Sequence, residues 1–325
     1  MGRRTVRGLF RSARRELIDA VRAPRRIHAE LVRLNRSEDR LLDDVRSIRA
    51  DLSVLRADLR ALRDEMRTQR RYHEIARFAY IRPVMDDIFD VMSRRQLDFT
   101  ETLSHIIDRR LSYARFGDGE LRLMVRPDHD VRFQRGSAAL RDALRRVFTL
   151  DGYDSDRLLV GFPYPHQTNL HWCAVWMDVW PSVRSLLPER GVMGNSHVTR
   201  PIFFEMHGVD GVKLWRRVWD GKRVCVVTGQ ASRCVYPDEL FDNARSLTTL
   251  ESVASDAFAD IPRLVSRIAG HDAELFLIAL GPAGTVLAGE LSLMDRWAID
   301  VGHLSNSWEF VFGGSPTPES LPVRR

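Results

Sequence analysis

Lysine is almost missing from this chain: of 50 basic residues only Lys213 and Lys222 are lysines, and the rest are arginine. Cysteine is scarce too. Cys173, Cys225 and Cys234 are an odd count in unrelated contexts with no Cys-x-x-Cys pair, which favours packed thiols over disulfides or metal ligands. No apolar run is long enough to cross a bilayer, and the N-terminus lacks the continuous apolar core of a signal peptide. From these absences a cytoplasmic location is expected. Outside the N-terminal 70 residues, internal repeats and low-complexity tracts are also missing. At 325 residues and 44% hydrophobic content, the chain has enough apolar material for an ordinary core and a second, smaller body.

The net charge of +6 is spread unevenly. Nine arginines between Met1 and Arg26 face only Glu16 and Asp19, a cluster suited to phosphate-bearing partners, whether nucleic acid or anionic lipid. Arginine in place of lysine throughout also reads as a genomic bias. Val6, Leu9, Phe10, Ala13, Leu17 and Val21 recur mostly at three- and four-residue steps among these arginines, the pattern of a basic amphipathic helix lying on a membrane surface. A disordered basic leader fits the same residues. Pro24 is expected to separate this leader from the next segment.

From Ile27 to Met66 a heptad repeat runs without interruption. Leu31, Glu38, Val45, Leu52, Leu59 and Met66 occupy position a, and Ile27, Leu34, Leu41, Ile48, Leu55 and Leu62 occupy position d. A sustained 3.5-residue period predicts a coiled coil, because a lone helix of 3.6 residues per turn drifts off so strict a seam. In a parallel, in-register pair each g residue faces the next e residue of the partner. That pairs Asp44 with Arg49, Asp51 with Arg56, Asp58 with Arg63 and Glu65 with Arg70, all opposite in sign. Each exposed pair is worth only a few tenths of a kcal/mol, roughly, but together they disfavour other registers. The competing reading is a single long helix folded back on the rest of the chain.

The remaining two thirds alternate short apolar runs with helical stretches. Candidate strands cover Leu111–Ala114, Leu158–Phe162, Val192–Gly194, Val224–Thr228, Leu275–Leu280 and Trp297–Val301. Candidate helices cover Phe99–Asp108, Ser137–Val147, His171–Leu187, Ile202–Val209, Asp238–Ala244, Phe258–Ala269 and Thr285–Met294. Such alternation predicts an α/β domain, Rossmann-like, with a mainly parallel sheet and flanking helices. Ligands of these sheets bind beyond the carboxyl ends of the strands. Gly117, Gly229 and Gly281 each come closely after a candidate strand, which gathers three loops on one edge.

The first of those loops, Arg115-Phe-Gly-Asp-Gly-Glu120, carries the chemistry. On an extended backbone Asp118 and Glu120 leave the same face and can share one hard cation, and Gly117 and Gly119 let an anionic ligand approach the main chain. The bland alternative is a polar turn with solvated carboxylates. With Phe133-Gln134, Thr199-Arg200, Leu280 to Leu287, Asp300 to His303 and Trp308-Glu309, this motif resembles the GT-D fold glycosyltransferases, with matches in order from about Gln96 to Phe312. Two departures stand out. The chain reads Leu304-Ser-Asn-Ser307 where the family has a carboxylate, and Gly289-Glu290 where it has an aromatic and an aspartate.

The resemblance implies a bacterial enzyme that uses a divalent cation, Mn²⁺ or Mg²⁺, and a nucleotide-sugar donor, UDP-linked, to glycosylate a glycan or glycoprotein. Together with the leader and heptad readings above, it divides the chain into a leader over 1–26, a coiled coil over 27–70, a helical linker over 71–95, a GT-D type domain over 96–312 and a flexible tail over 313–325. Asp118 and Glu120 are then the metal ligands. Arg115 and Arg200 contact phosphates, their alternatives being a local ion pair and a surface arginine. The turn from Gly281 into the helix at Thr285 receives a phosphate on its N–H groups. Asp300, His303 and Glu309 orient or deprotonate the acceptor, with His303 acting near neutral pH. A structural hydrogen-bonding role is the alternative for that histidine. Gln134 and Asn195 read sugar or base edges, or else serve as turn residues. Two other classes compete: an inactive sugar-nucleotide-binding scaffold on a coiled coil, and a nucleic-acid-binding protein. Against the latter, the basic cluster lies outside the folded domain and no aromatic-basic strip marks a binding face.

Overall fold

The computed structural model describes residues 3–166, 169–189, 191–318 and 320, and the side chains of the arginine-rich leader lie outside the described residues. The chain forms two compact units, residues 1–79 and 80–325. The first consists of helix α1 alone, which spans Arg3–Arg95 and so also enters the second unit. Pro24 does not break it. A proline removes one ladder hydrogen bond, and the turns on either side carry the helix through. The apolar a and d side chains of the heptad are 45% to 62% exposed within their own chain.

The second unit is a three-layer α/β fold. Its elements after α1 are α2 (Phe99–Asp108), β1 (Ser112–Arg115), α3 (Asp118–Val125), α4 (Ala138–Thr149), β2 (Leu158–Phe162), α5 (Leu170–Leu186), β3 (Gly194–Asn195) and α6 (Pro201–Trp219). Next come β4 (Arg223–Gly229), α7 (Asp238–Phe241), β5 (Ser246–Ser252), α8 (Ile261–Ala269), β6 (Leu275–Ala279), α9 (Pro282–Leu293), β7 (Ala298–Asp300) and α10 (Leu304–Phe312). The sheet is parallel throughout, in the order β3-β2-β1-β7-β6-β4-β5. Helices cover both faces, so β1 and β2 are buried along their whole length, as central parallel strands are. One core holds the end of α1 (Ile81, Met85, Ile88, Met92) with α3, α4, α5, α8 and α9; the other holds α2, α6, α7 and α10.

Local sequence explains most boundaries. Asp98 accepts the Glu101 N–H at 2.7 Å while Glu101 Oε2 accepts the Asp98 N–H at 2.9 Å, a reciprocal cap that starts α2. In α8, Ile261, Leu264 and Ile268 fall on one helical face and are buried together. Three elements escape the sequence pattern, among them α10, which no candidate helix covered. Edge strand β5 is polar and largely exposed, with only Leu250 and Ser252 buried, so its run carries little apolar signal. The segment from Asp118 is helical rather than extended, because Glu120 folds back on Gly117 and closes the first turn.

Register in the middle of the sheet depends on a close approach. Gly161 of β2 lies beside Tyr113 of β1, whose hydroxyl donates to the Asn195 carbonyl at 2.9 Å and so ties β1 to β3 across β2. A Cβ at position 161 would sit 2.1 Å from that hydroxyl oxygen. Gly161→Ala is therefore expected to displace the ring and lower stability by about 1–3 kcal/mol, the usual range for overpacking. Urea unfolding checks this, and an unchanged midpoint would show that the ring has room to move.

Candidate active site

The site is built around Arg115, the last residue of β1. It is 8% exposed, and its carbonyl accepts the Thr285 hydroxyl at 2.9 Å. Burial alone would lower its pKa, but the charges of Asp300 and Glu120 outweigh this and hold the guanidinium above its usual value. Its Nε is buried with no hydrogen-bond partner among the described residues. Gly302, at φ +49°, makes room for the group: a Cβ there would lie 2.7 Å from Arg115 Nη2. This is the physical reason for a glycine at this position, since both the backbone angle and the space exclude a side chain.

Asp118 and Glu120 occupy the first turn of α3, which corrects the extended geometry expected from their spacing. Residues two apart on a helix point about 200° apart, and the two carboxylates have different surroundings. Glu120 is 6% exposed, and its Oε2 accepts the Gly117 N–H at 2.8 Å. Asp118 is half-exposed, 3.6 Å from both Arg122 Nη1 and His171 Nε2. Half-exposed Asp118 offers carboxylate oxygens of the kind a hard cation of the Mg²⁺ class takes, since such an ion needs only one or two protein carboxylates and completes its shell with phosphate and water, while one Glu120 oxygen is already engaged by Gly117. Among the described residues no group of three His, Cys, Asp or Glu side chains is placed to hold a metal ion.

A cavity opens between β4 and β6, where the chain leaves outward to β5 after one strand and inward to β7 after the other, the crevice at which such sheets bind ligands. Gly229 and Gly281 line it as expected, together with Arg115, Phe133, His303 and Asn306. Burial, and after it the positive charges of Arg200 and Arg115, lowers the His303 pKa to about 3. That imidazole is therefore neutral and weakly basic in the free protein, a correction to the expectation that it titrates near pH 7. Arg200 begins α6; burial and then repulsion from Arg115 lower its pKa to about 10, so it stays protonated at neutral pH.

Five expected contacts are redirected by the structure. Asp300 is fully buried; its Oδ2 is 3.0 Å from Thr285 Oγ1, whose one proton is shared with the Arg115 carbonyl, its Oδ1 accepts the Gly302 N–H at 3.1 Å, and burial, partly offset by Arg115, raises its pKa to about 7. It supports Arg115 from behind and has no surface to offer an acceptor. Thr285 bridges Asp300 and the Arg115 carbonyl, so its hydroxyl is unavailable to phosphate. Gln134 uses both ends of its amide on backbone, donating to the Arg135 carbonyl and accepting from the Phe258 N–H. Asn195 accepts the His197 N–H at 3.0 Å as the cap of a short 3-10 turn. Glu309 lies about 9 Å along α10 from His303, and its carboxylate accepts from Ser315 Oγ instead of facing the cavity.

The departing segment Leu304–Ser307 also has a structural use. Ser305 Oγ is 3.2 Å from Cys234 Sγ, Asn306 Nδ2 donates to the Arg233 carbonyl at 2.9 Å, and Ser307 Oγ donates to the Thr199 carbonyl at 3.0 Å. They fasten α10 to two neighbouring loops. Sequence reasoning passed over Gln230, Ser232 and Arg233 of the cavity, and His166, His171, Trp172 and His197 on the opposite side of Arg115. The Gly229-Gln-Ala-Ser-Arg233 run directly after a strand was the available signal for the first group. Nothing in the sequence marked the second, whose members meet only in the fold.

Comparison with known proteins gives a consistent result. A family model described as glycosyltransferase GT-D fold matches residues 113–317. The chain is 25% identical over 247 residues to "Glycosyltransferase GlyD" of Streptococcus pneumoniae serotype 4, covering 73% of this chain and 30% of that protein. It is 23% identical over 232 residues to "Probable glycosyl transferase Gly" of Streptococcus gordonii, covering 67% and 33%. The chain thus spans about a third of the length of these relatives. Among solved structures, one described as "The highly conserved domain of unknown function 1792 has a distinct glycosyltransferase fold" superimposes with a TM-score of 0.62 at 24% identity, over 72% of this chain and 88% of the other. A glycosyltransferase from Streptococcus sanguinis aligns with a TM-score of 0.61 at 23% identity, over 68% and 85%. With its parallel sheet, its buried Arg115 and its carboxylate-bearing α3, the chain belongs to the GT-D fold glycosyltransferase family.

Proposed function

We propose that this chain transfers a sugar from a UDP-linked donor to a glycan or glycoprotein acceptor, with the leaving diphosphate received beside Arg115. The observation that carries this reading is the buried, unpartnered Arg115 Nε at the margin of the sheet-edge cavity, within the fields of two carboxylates and of a second, half-buried arginine, Arg200. An uncompensated buried donor costs about 1–3 kcal/mol, and a phosphate oxygen is the acceptor best matched to a guanidinium. The cavity suits a nucleotide: Phe133, Val253 and Ala257 supply apolar wall, and Gln230, Ser232 and Asn306 supply polar groups.

Leaving-group departure builds negative charge on the diphosphate, and Arg115 and Arg200 are fixed in a low-dielectric site where that charge develops. Asp118 and Glu120 would hold the divalent cation, which when bound supplies further neutralisation of the diphosphate. His303 then becomes the base. Its low pKa in the free protein comes from burial and from the two arginines, and a diphosphate beside those arginines offsets the second cause. At ~5 Å and an effective dielectric of ~20, one unit charge is worth about 3 kcal/mol, or roughly two pKa units, enough to make the imidazole a usable base.

The exposed heptad is proposed to pair with a second copy of the chain in a parallel coiled coil. Among the described residues, none of Asp44, Arg49, Asp51, Arg56, Asp58, Arg63, Glu65 and Arg70 forms an ion pair within its own chain. All eight are therefore available across a parallel seam, and an antiparallel pair would not align them.

Three outcomes test these readings. Asp118→Ala should lower turnover of UDP-sugars by about 10²-fold or more without moving the melting temperature; unchanged turnover, or full activity in excess chelator, would sink the assignment. In nuclear magnetic resonance titrations His303 should stay neutral above about pH 5 in the free protein and protonate at higher pH once UDP is bound. No upward shift on saturation with UDP removes it as the base. Light scattering should report a dimer for the whole chain and a monomer after removal of residues 1–70, and equal stoichiometry would show that the heptads do not associate.

A further inference from the structure

Five side chains the mechanism does not use form one continuous group at the carboxyl ends of β2 and β3. Tyr164 meets His166 at 5.3 Å between ring centroids, His166 stacks on His197 at 5.1 Å, and Trp172 lies 5.3 Å from His197 and 5.9 Å from His171. Trp172 and His166 are half-buried, and Tyr164 and His171 are exposed, so the group has an open face. It does not lie over a flat shelf. The Trp172 ring meets His166 at 41° and His197 at 67°, so the three rings are set at angles to one another as a corner.

Two observations give this corner a ligand. His197 is only 7% exposed, and its Nδ1 has no hydrogen-bond partner among the described residues, so a buried polar atom waits for a group that they do not supply. The corner also touches the reaction centre, through His171 Nε2 at 3.6 Å from Asp118 and through His197, which lies within the fields of Arg115 and Arg200. Strand order puts it on the β2–β3 side of Arg115, while the cavity lies on the β4–β6 side. Strands are spaced about 4.8 Å apart, so β2 and β6 are separated by three steps, about 14 Å. That distance accommodates the reacting sugar and diphosphate between two subsites.

We infer that the corner formed by Trp172, His166 and His197 is a carbohydrate subsite that seats the acceptor sugar ring against Asp118 and Arg115. The chemistry matches a pyranose. Its C–H face packs on the indole and imidazole rings as other apolar faces do, and a rim hydroxyl can serve both as donor and as acceptor to an imidazole nitrogen. The rings carry no charge at neutral pH: burial, and after it His166, Arg200 and Arg115, holds His197 near pKa 3, and burial lowers that of His166. The three rings of the corner therefore bring no charge of their own to a phosphate, whereas a neutral polyol needs none. This assignment rests on the transferase reading, since it names the subsite for that reaction's second substrate.

The test uses the whole chain, a panel of methyl glycosides and UDP. Saturation-transfer nuclear magnetic resonance should show at least one methyl glycoside bound through its C–H protons. That signal should be lost in Trp172→Leu and weakened at least threefold in His166→Ala, with both variants melting as the wild type does and binding UDP within twofold by calorimetry. Binding of no glycoside in the panel overturns the inference, as does binding that survives Trp172→Leu. A tenfold loss of UDP affinity in Trp172→Leu also overturns it, because the corner would then hold the nucleobase. Wild-type protein that binds a glycoside through Trp172 yet neither binds nor turns over any UDP-sugar would instead overturn the transferase reading and leave the sugar subsite standing.

Discussion

A buried positive charge at the end of the central strand is the constraint around which the second unit is arranged. Arg115 is nine-tenths buried, and a lone cation in that position would be driven to lose its proton or unfold its surroundings. Asp300 and Glu120 prevent this from two sides. Their own positions are fixed in turn, Asp300 by Thr285 and the Gly302 N–H, Glu120 by the Gly117 N–H. β1, β7, α3 and α9 therefore meet at one electrostatic point. Its geometry is set by the three junctions β1–α3, β6–α9 and β7–α10, whose residues supply the hydrogen bonds that hold the charges.

The same arrangement separates support from chemistry. Asp300 and Thr285 are buried, Thr285 bonding the Arg115 carbonyl and Asp300 supplying a counter-charge, while Asp118 is half-exposed and His303 lines the cavity. Burial first, and then the nearby Arg200 and Arg115, keep the His303 imidazole neutral in the free protein. On the proposed reading, a base that strengthens only as the donor binds is poorly prepared to act on water in its absence.

In the first unit the governing force is different. The apolar seam over Ile27–Met66 is left uncovered by its own chain, and among the described residues no ion pair inside the chain engages the charges proposed to face a partner. Pro24 shows how far a long helix tolerates a local fault: a single lost hydrogen bond does not end it when strong helix formers lie on both sides.

Strand and helix periodicity in the primary structure already determined the α/β class, the parallel sheet, most element positions and the seam, because each depends on residues a few places apart along the chain. The cavity-lining glycines were legible for the same reason, since a glycine directly after a buried strand falls at the sheet edge whatever the rest of the fold does. The turn at Asp118 was misread because a local hydrogen bond, Glu120 to Gly117, overrode the spacing argument. Edge strand β5 was missed because an exposed strand has no apolar period to read. Tertiary structure alone decided which polar residues face a ligand. Gln134, Asn195, Thr285 and Asp300 look like binding groups in one dimension and become structural only when distant backbone atoms claim their hydrogen bonds. His166, Trp172 and His197, separated by up to 31 positions, become neighbours only because β2 and β3 lie side by side in the sheet. Hydrogen-bond satisfaction and burial depend on the whole fold, so no local pattern can state them.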